Sequence, residues 1–140
     1  MAIESQGTKL FWSNTTSANT AATCLVGEVT DFTGPGGSAG VIDITNLQST
    51  AKEKLIGLRD EGQLSMTLNF SATDPAQTAL RADRAARTKK HVTMKFVDTN
   101  TCIALFKGYC LTYSISGAVD NKITANAVIE ITGAVTYSTA

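Results

Sequence analysis

Few side chains in this sequence are of a kind that titrates or attacks near neutral pH. His91 is the only histidine, so a multi-histidine metal centre is impossible and any Ser or Cys triad would rest on this single ring. It heads an alternating segment on the polar side, next to Val92, and no Gly-x-Ser-x-Gly elbow occurs anywhere in the chain. An exposed structural histidine is the expectation. The three cysteines, Cys24, Cys102 and Cys110, are an odd set without Cys-x-x-Cys spacing, which fits reduced thiols acting as small core filler. The carboxylate pairs Glu28 with Asp31 and Asp60 with Glu61 sit near loops, where acids are ordinarily solvated surface charges. The residue types therefore yield no catalytic residue, no cofactor and no metal ligand.

Two further groups have the letter of a binding site without its context. Gly34-Pro35-Gly36-Gly37-Ser38-Ala39 is rich enough in glycine to cradle a phosphate, but Val41-Ile42-Asp43-Ile44 follows it like a strand, where a phosphate site needs a helix N-terminus. The glycines and proline from Thr33 to Gly40 exclude regular structure and predict a loop. Arg81, Arg84, Arg87, Lys89 and Lys90 form the densest basic group. Asp74 and Asp83 dilute it, and no aromatic suited to base stacking lies among these residues. A solvated or subunit-facing helix is the reading of this group.

The elements that must position these residues are mostly strands. Leu64, Met66, Leu68 and Phe70 alternate with Gln63, Ser65, Thr67 and Asn69, the period of a half-buried strand. The same period places Val92, Met94 and Phe96 on one face, then Tyr109, Leu111, Tyr113 and Ile115, then Ile123, Ala125, Ala127, Ile129 and Ile131. Residues 9–12, 24–32, 41–44 and 102–106 are apolar and β-prone, which brings the expectation to about eight strands in a sandwich or barrel. One segment differs. Asp74-Pro75 opens it like a capped helix, Gln77 stands where a capping box needs it, and good helix formers run from Ala76 through Arg87. Ala76, Ala79, Ala82 and Ala86 give this helix a thin apolar side, with Leu80 as its one large anchor and Asp83 placed to pair with Arg87. Residues 46–62 predict a long loop. Leu55, Ile56 and Leu58 among its charges make it too apolar for a solvated linker, so something is expected to cover it.

The chain's 140 residues suit one domain, residues 1–140, without internal repeats. Twelve Lys plus Arg balance twelve Asp plus Glu, and no run of like charges suggests a nucleic-acid or membrane tail. The opening Met1-Ala2-Ile3-Glu4-Ser5-Gln6 lacks a signal pattern, which leads to the expectation of a protein made in the cytosol with no membrane partner.

The order of the pieces carries a resemblance. Glu28-Val29-Thr30-Asp31-Phe32, the glycine loop, Val41-Ile42-Asp43-Ile44-Thr45-Asn46-Leu47 and Ala51-Lys52-Glu53-Lys54-Leu55-Ile56-Gly57-Leu58-Arg59-Asp60-Glu61-Gly62 resemble the major tail tube proteins of siphophages. The strand ending near Phe70, the helix opening at Asp74 and the alternating closing segment from Gly108 to Gly133 are similar to that family as well, so the likeness runs from about Val26 onward.

This resemblance implies a mainly β, antiparallel sandwich or barrel-like tail tube fold with one flanking helix, about residues 75–87, and a long inter-subunit loop, about residues 46–62. It implies a structural, non-enzymatic virion protein, assembled in the bacterial cytoplasm, whose six copies close a ring and whose rings stack into a conduit for DNA. The implied partners are further copies of itself, a tape measure protein, a tail terminator and tail-tip proteins, while DNA passes without specific binding. Leu55, Ile56, Leu58 and Asp60 are then the expected inter-subunit contacts, and the uncharged face Gln63, Ser65, Thr67 and Asn69 a candidate lumen lining. The rival readings are a tail terminator or secretion-type tube subunit of related fold, and a monomeric β-sandwich binding module with a polar pocket.

Overall fold

The computed structural model describes residues 6–12, 24–97 and 102–139. The strands are β1 (Lys9–Trp12), β2 (Cys24–Leu25), β3 (Val29–Thr33), β4 (Ser38–Asp43), β5 (Lys54–Asp60), β6 (Gln63–Asn69), β7 (Lys90–Lys95), β8 (Cys102–Ser116) and β9 (Thr124–Thr139), with helix α1 (Pro75–Ala86) between β6 and β7. Seven strands form one antiparallel sheet in the order β2-β1-β7-β8-β9-β6-β3, and β4 and β5 pair as a separate hairpin.

The sheet is curled, and its connectivity explains why. Its two edge strands, β2 and β3, are consecutive in sequence, with only Val26, Gly27 and Glu28 between them. Three residues and their flanking bonds span roughly 13 Å at full extension, so a seven-stranded sheet has to bend back on itself to bring those edges together. The expectation of one strand over residues 24–32 is corrected here. Val26 turns inward, its N–H donating to Leu10 O at 2.8 Å, and Glu28 takes a left-handed φ of 65° that ends the extended run.

The core lies inside the curl. Leu64, Met66 and Leu68 of β6 face Ile129, Ala127 and Ala125 of β9 in register, so an alanine opposes a large residue at the last two pairs. Leu10 and Trp12 of β1, Val92 and Met94 of β7 and Leu80 of α1 complete it, each side chain contributing about 1.5–3 kcal/mol by leaving water. The alternation in β6 and β9 thus sets the inward face as the sequence implied, except that Ile123 lies outside the strand and is exposed.

Residues 102–116 form one strand, β8, where two were expected, and the expected inward set Tyr109, Leu111, Tyr113 and Ile115 is corrected. Ala104, Phe106, Gly108 and Cys110 point inward, a bulge then falls between Cys110 and Thr112, and only beyond it does Tyr113 turn toward the core. The one-residue slip exchanges the faces and leaves Tyr109 and Leu111 exposed, while Ile115, on Tyr113's side, is exposed near the strand's end. Likewise β9 continues past Ile131 to Thr139, bending at Gly133, whose φ is 80°.

The N-cap of α1 is Asp74, as read from the sequence: its Oδ1 accepts from Ala76 N at 3.1 Å, and Pro75 begins the first turn. The helix ends at Ala86, with Arg87 as a left-handed C-cap at φ 59°. Gln77 is buried and closes no capping box, and of the four alanines only Ala76 and Ala79 pack toward the core, Ala82 and Ala86 being exposed.

The structure overturns the expected long loop at residues 46–62. Its second half is strand β5, paired with β4 through Val41↔Ile56 and Ile42↔Leu55. Continuous apolar runs without alternation disguise a strand as a loop when read by period alone. The predicted glycine loop shrinks to residues 34–37, because Ser38, Ala39 and Gly40 already belong to β4.

Candidate functional site

The β4–β5 hairpin leaves the body between residues 34–37 and 61–62. Its root is a backbone crossing that glycine makes possible: Gly36 bridges Gly62, and a Cβ on Gly62 would lie 1.8 Å from Gly36 O, one on Gly37 1.7 Å from Asp60 O. Gly62 also takes a φ of 78°, its N–H donates to Asp60 Oδ1 at 3.0 Å, and its carbonyl accepts from Ile131 N at 3.1 Å. Of the four expected contact residues, Asp60 therefore tightens the root, while Leu55, Ile56 and Leu58 stand exposed along the arm. The far end is closed by Asn46 and Ser49, with Ser49 N donating to Asn46 O at 3.1 Å and Asn46 N to Ser49 Oγ at 3.1 Å. Beside that turn the Thr45 hydroxyl and amide hold the exposed Asp43 carboxyl below its ordinary range.

On the body, Gln63, Ser65, Thr67 and Asn69 project from β6 on the face opposite the core. Their cross-strand neighbours on β9 are Glu130, Val128, Asn126 and Thr124, and on β3 Thr33 and Asp31 lie beside Ser65 and Thr67. Polar side chains there are tied to one another: Gln63 Nε2 donates to Glu130 Oε2 at 2.7 Å, Thr67 Oγ1 to Asn126 Oδ1 at 2.9 Å and Asn69 Nδ2 to Glu28 Oε2 at 3.2 Å. The charges in this stretch are the carboxylates of Glu28, Asp31 and Glu130, with Lys107 coming in beyond Glu130 where β8 pairs Thr132.

The helix lies on the other face. Ala76, Gln77 and Leu80 sink into the core side, the Arg81 guanidinium stands 5.5 Å from the Phe70 ring centroid and 5.8 Å from that of Tyr113, and Arg84 Nε donates to Leu111 O at 3.3 Å. The basic group and the polar row of β6 are thus separated by the thickness of the sheet.

Sequence reasoning missed two buried polar assemblies. Gln77 Oε1 accepts from Ser71 N at 2.9 Å and Tyr113 Oη at 3.0 Å, while its Nε2 donates to Gly27 O at 3.1 Å and Asn69 O at 3.0 Å. Burial raises the Tyr113 hydroxyl pKa, against the nearby Arg81, with Asp74 and Cys110 adding to the rise. Asp83, expected to pair with Arg87, instead accepts from Trp12 Nε1 at 2.6 Å and forms an ion pair with Lys90 Nζ at 3.8 Å. Contacts of this kind join residues far apart in sequence, so no local pattern announces them.

The chemistry-bearing residues do not converge. His91 is half-buried, a correction to the exposed position expected, because its face of β7 also carries the buried Thr93. Cys110 is buried with its thiol pushed up to about 11 by desolvation, Arg84 opposing and Asp83 reinforcing the rise; Cys102 is half-buried, and the Cys24 side chain lies outside the described residues. Among the described residues no three metal-ligating side chains gather, and no helix is long and apolar enough to cross a membrane.

Against known proteins, a family model described as phage tail tube, lambda-like, matches residues 1–140. Comparison with curated proteins finds no match. Among solved structures, the SPP1 tail tube aligns with a TM-score of 0.71 at 13% identity, over 99% of this chain and 80% of that one. The tail of an empty gene transfer agent particle aligns at 0.75 and 13% identity, over 98% and 99%. The tube-terminating cap of the anti-feeding prophage aligns at 0.73 and 11% identity, over 100% and 93%. At these identities the structures share a fold with this chain.

Proposed function

The chain belongs to the lambda-like phage tail tube family, and from that premise we propose that six copies close into a ring and that the rings stack into the conduit through which DNA leaves the virion. It is a structural subunit of the tail. Residues 1–140 act as one tube domain, with no catalytic step of their own, and the subunits assemble in the host cytoplasm.

The observation that carries the assembly is the β4–β5 hairpin, an arm with apolar side chains that its own body leaves in water. Leu55, Ile56 and Leu58 are its contacts with neighbouring copies, with Asp60 fixing the root. A ring built by rotation is a heterologous contact repeated until it closes, and the open edges of β2 and β3 are then available for pairing between subunits.

In the ring, the row Gln63, Ser65, Thr67 and Asn69 faces the lumen. Its neighbours Asp31, Asn126 and Glu130 keep this row neutral to acidic, with Lys107, Lys95 and Lys9 following only farther along the same outward face, so a polyanion passing the row itself meets no clustered cations to release its counterions and hold it. The arginines of α1, on the opposite face, stay on the outside of the conduit. Tape measure, terminator and tail-tip proteins are the remaining partners, binding the lumen and the two ends.

Electron microscopy of the concentrated protein, with two-dimensional averaging, tests this reading. Hollow six-fold rings or stacked tubes support it. A chain that stays monomeric both alone and with its tail-tip proteins overturns it.

A further inference from the structure

The two edge strands of the seven-stranded sheet, β2 and β3, are joined directly by Val26, Gly27 and Glu28, and this connector is held from three directions. Val26 N donates to Leu10 O of β1 at 2.8 Å, and Asn69 N at the end of β6 donates to Glu28 O at 2.8 Å. Between these anchors, both polar groups of the Gly27 backbone are taken by the start of α1. Its N–H donates to Asp74 Oδ2 at 2.8 Å, and its carbonyl accepts from Gln77 Nε2 at 3.1 Å. The approach is close enough that a Cβ on Gly27 would stand 2.7 Å from Asp74 Oδ2.

Asp74 therefore has two tasks. Its Oδ1 caps the helix through Ala76 N, while its Oδ2 reaches the connector. Capping alone needs one acceptor oxygen, which a serine supplies as well, so the second oxygen serves the position of Gly27. The helix is itself fixed. Leu80 is fully buried, and Asp83 near the other end accepts from Trp12 of β1. The connector thus hangs on a rigid body, and the direction of β3 relative to β2 is not left to the freedom of three linking residues.

A ring made by one contact repeated by rotation closes only when the turn from copy to copy is right; otherwise the copies build an open helical arc. That turn is the angle between the two surfaces a subunit offers. In the proposed ring, on which this inference rests, those surfaces lie on the β2 and β3 sides of the sheet, and the connector carries the angle between them.

We infer that Asp74 and Gln77 form a clasp on Gly27, through which the first turn of α1 sets the curl of the sheet and with it the number of copies that close a ring. The helix then acts as a gauge for the ring without having to touch the contact it controls.

Two substitutions open the clasp from opposite sides. Asp74→Ser keeps a capping oxygen and leaves none for Gly27, while Gly27→Ala pushes the Asp74 carboxylate off the connector. Both variants should keep the Trp12 emission of the wild type, and amide exchange at position 27 and at Asn69 should quicken about tenfold or more. Electron microscopy with two-dimensional averaging is expected to show rings of altered or mixed rotational symmetry, or open arcs. Assemblies of wild-type symmetry and diameter from either variant overturn the inference, as does unchanged amide exchange. Folded variants that do not associate at all overturn it too, since a changed angle leaves the contact surfaces in place. Should Gly27→Ala fail to fold, Asp74→Ser decides alone. Wild-type protein that forms no ring under any condition refutes the proposed function itself, an outcome distinct from these.

Discussion

Trp12 Nε1 donates to Asp83 Oδ2 at 2.6 Å across 71 residues of chain, tying the first described strand to the last turns of the helix. The other carboxylate oxygen faces Lys90 Nζ at 3.8 Å, and the side chains of both charged partners are mostly buried.

Removing that carboxylate leaves an ammonium and an indole N–H without their partner. Asp83→Ala is expected to destabilise the monomer by about 3 kcal/mol, the cost typical of breaking a buried pair by deleting one side. Urea unfolding followed by the emission of Trp12, the sole tryptophan, measures it; a loss below about 1 kcal/mol would mean the pair is no better than a solvated one.

Gln77 satisfies four polar groups from three separate segments. Gln77→Leu keeps the volume and strands those groups, so a loss of about 2–4 kcal/mol is expected. Gln77→Glu should not rescue it, since a carboxylate cannot donate to Gly27 O and Asn69 O. Thermal melts of the three proteins side by side decide the matter.

Gly62→Ala would bring a Cβ against Gly36 O at a position whose φ is already positive. The expected result is a body that still folds, judged by Trp12 emission, but an arm whose amide protons in residues 38–60 exchange faster and whose tubes fail to form.

Introducing arginine at Ser65 and Thr67 tests the lumen assignment. Tubes should still assemble, since neither side chain packs in the core, yet they should retain single- or double-stranded DNA in a way that weakens steeply with salt. Equal DNA retention by wild-type and doubly substituted tubes would place this row on another surface.

Burial pushes the Cys110 thiol up to about 11 from an ordinary value of 9.0, with the Tyr113 hydroxyl raised as well. The unfolded chain therefore releases a proton at lower pH than the native one, so the stability linked to Cys110 is intact below pH 9 and is lost as pH rises toward 11. Urea midpoints between pH 8 and pH 11 should fall, and Cys110→Ala should flatten part of that decline.

Much of the body was legible from period alone. Leu64, Met66 and Leu68 against Ala125, Ala127 and Ile129 fall inward as their alternation required, and Asp74-Pro75 opened a helix anchored by Leu80. What escaped did so for physical reasons. The bulge after Cys110 reverses a face without changing the composition around it, and β5 is apolar on two sides, so period two never appears. The roles of Gln77 and Asp83 depend on which distant strands the fold brings beside them. Apolar residues among charges single out Leu55, Ile56 and Leu58 as candidate contacts, although period alone reads their segment as a loop.

The root of the arm touches the body through glycines and main chain rather than through side chains that the core must fit. Sequence change between Val41 and Leu58 is therefore free of the packing constraints that fix Leu64 or Ile129, and under the proposed assembly it answers to the surfaces that receive the arm. Two lineages whose arms and receiving surfaces drift together would keep the same fold yet lose the ability to mix in one tail, so this hairpin is where subunit identity can diverge while the conduit stays unchanged.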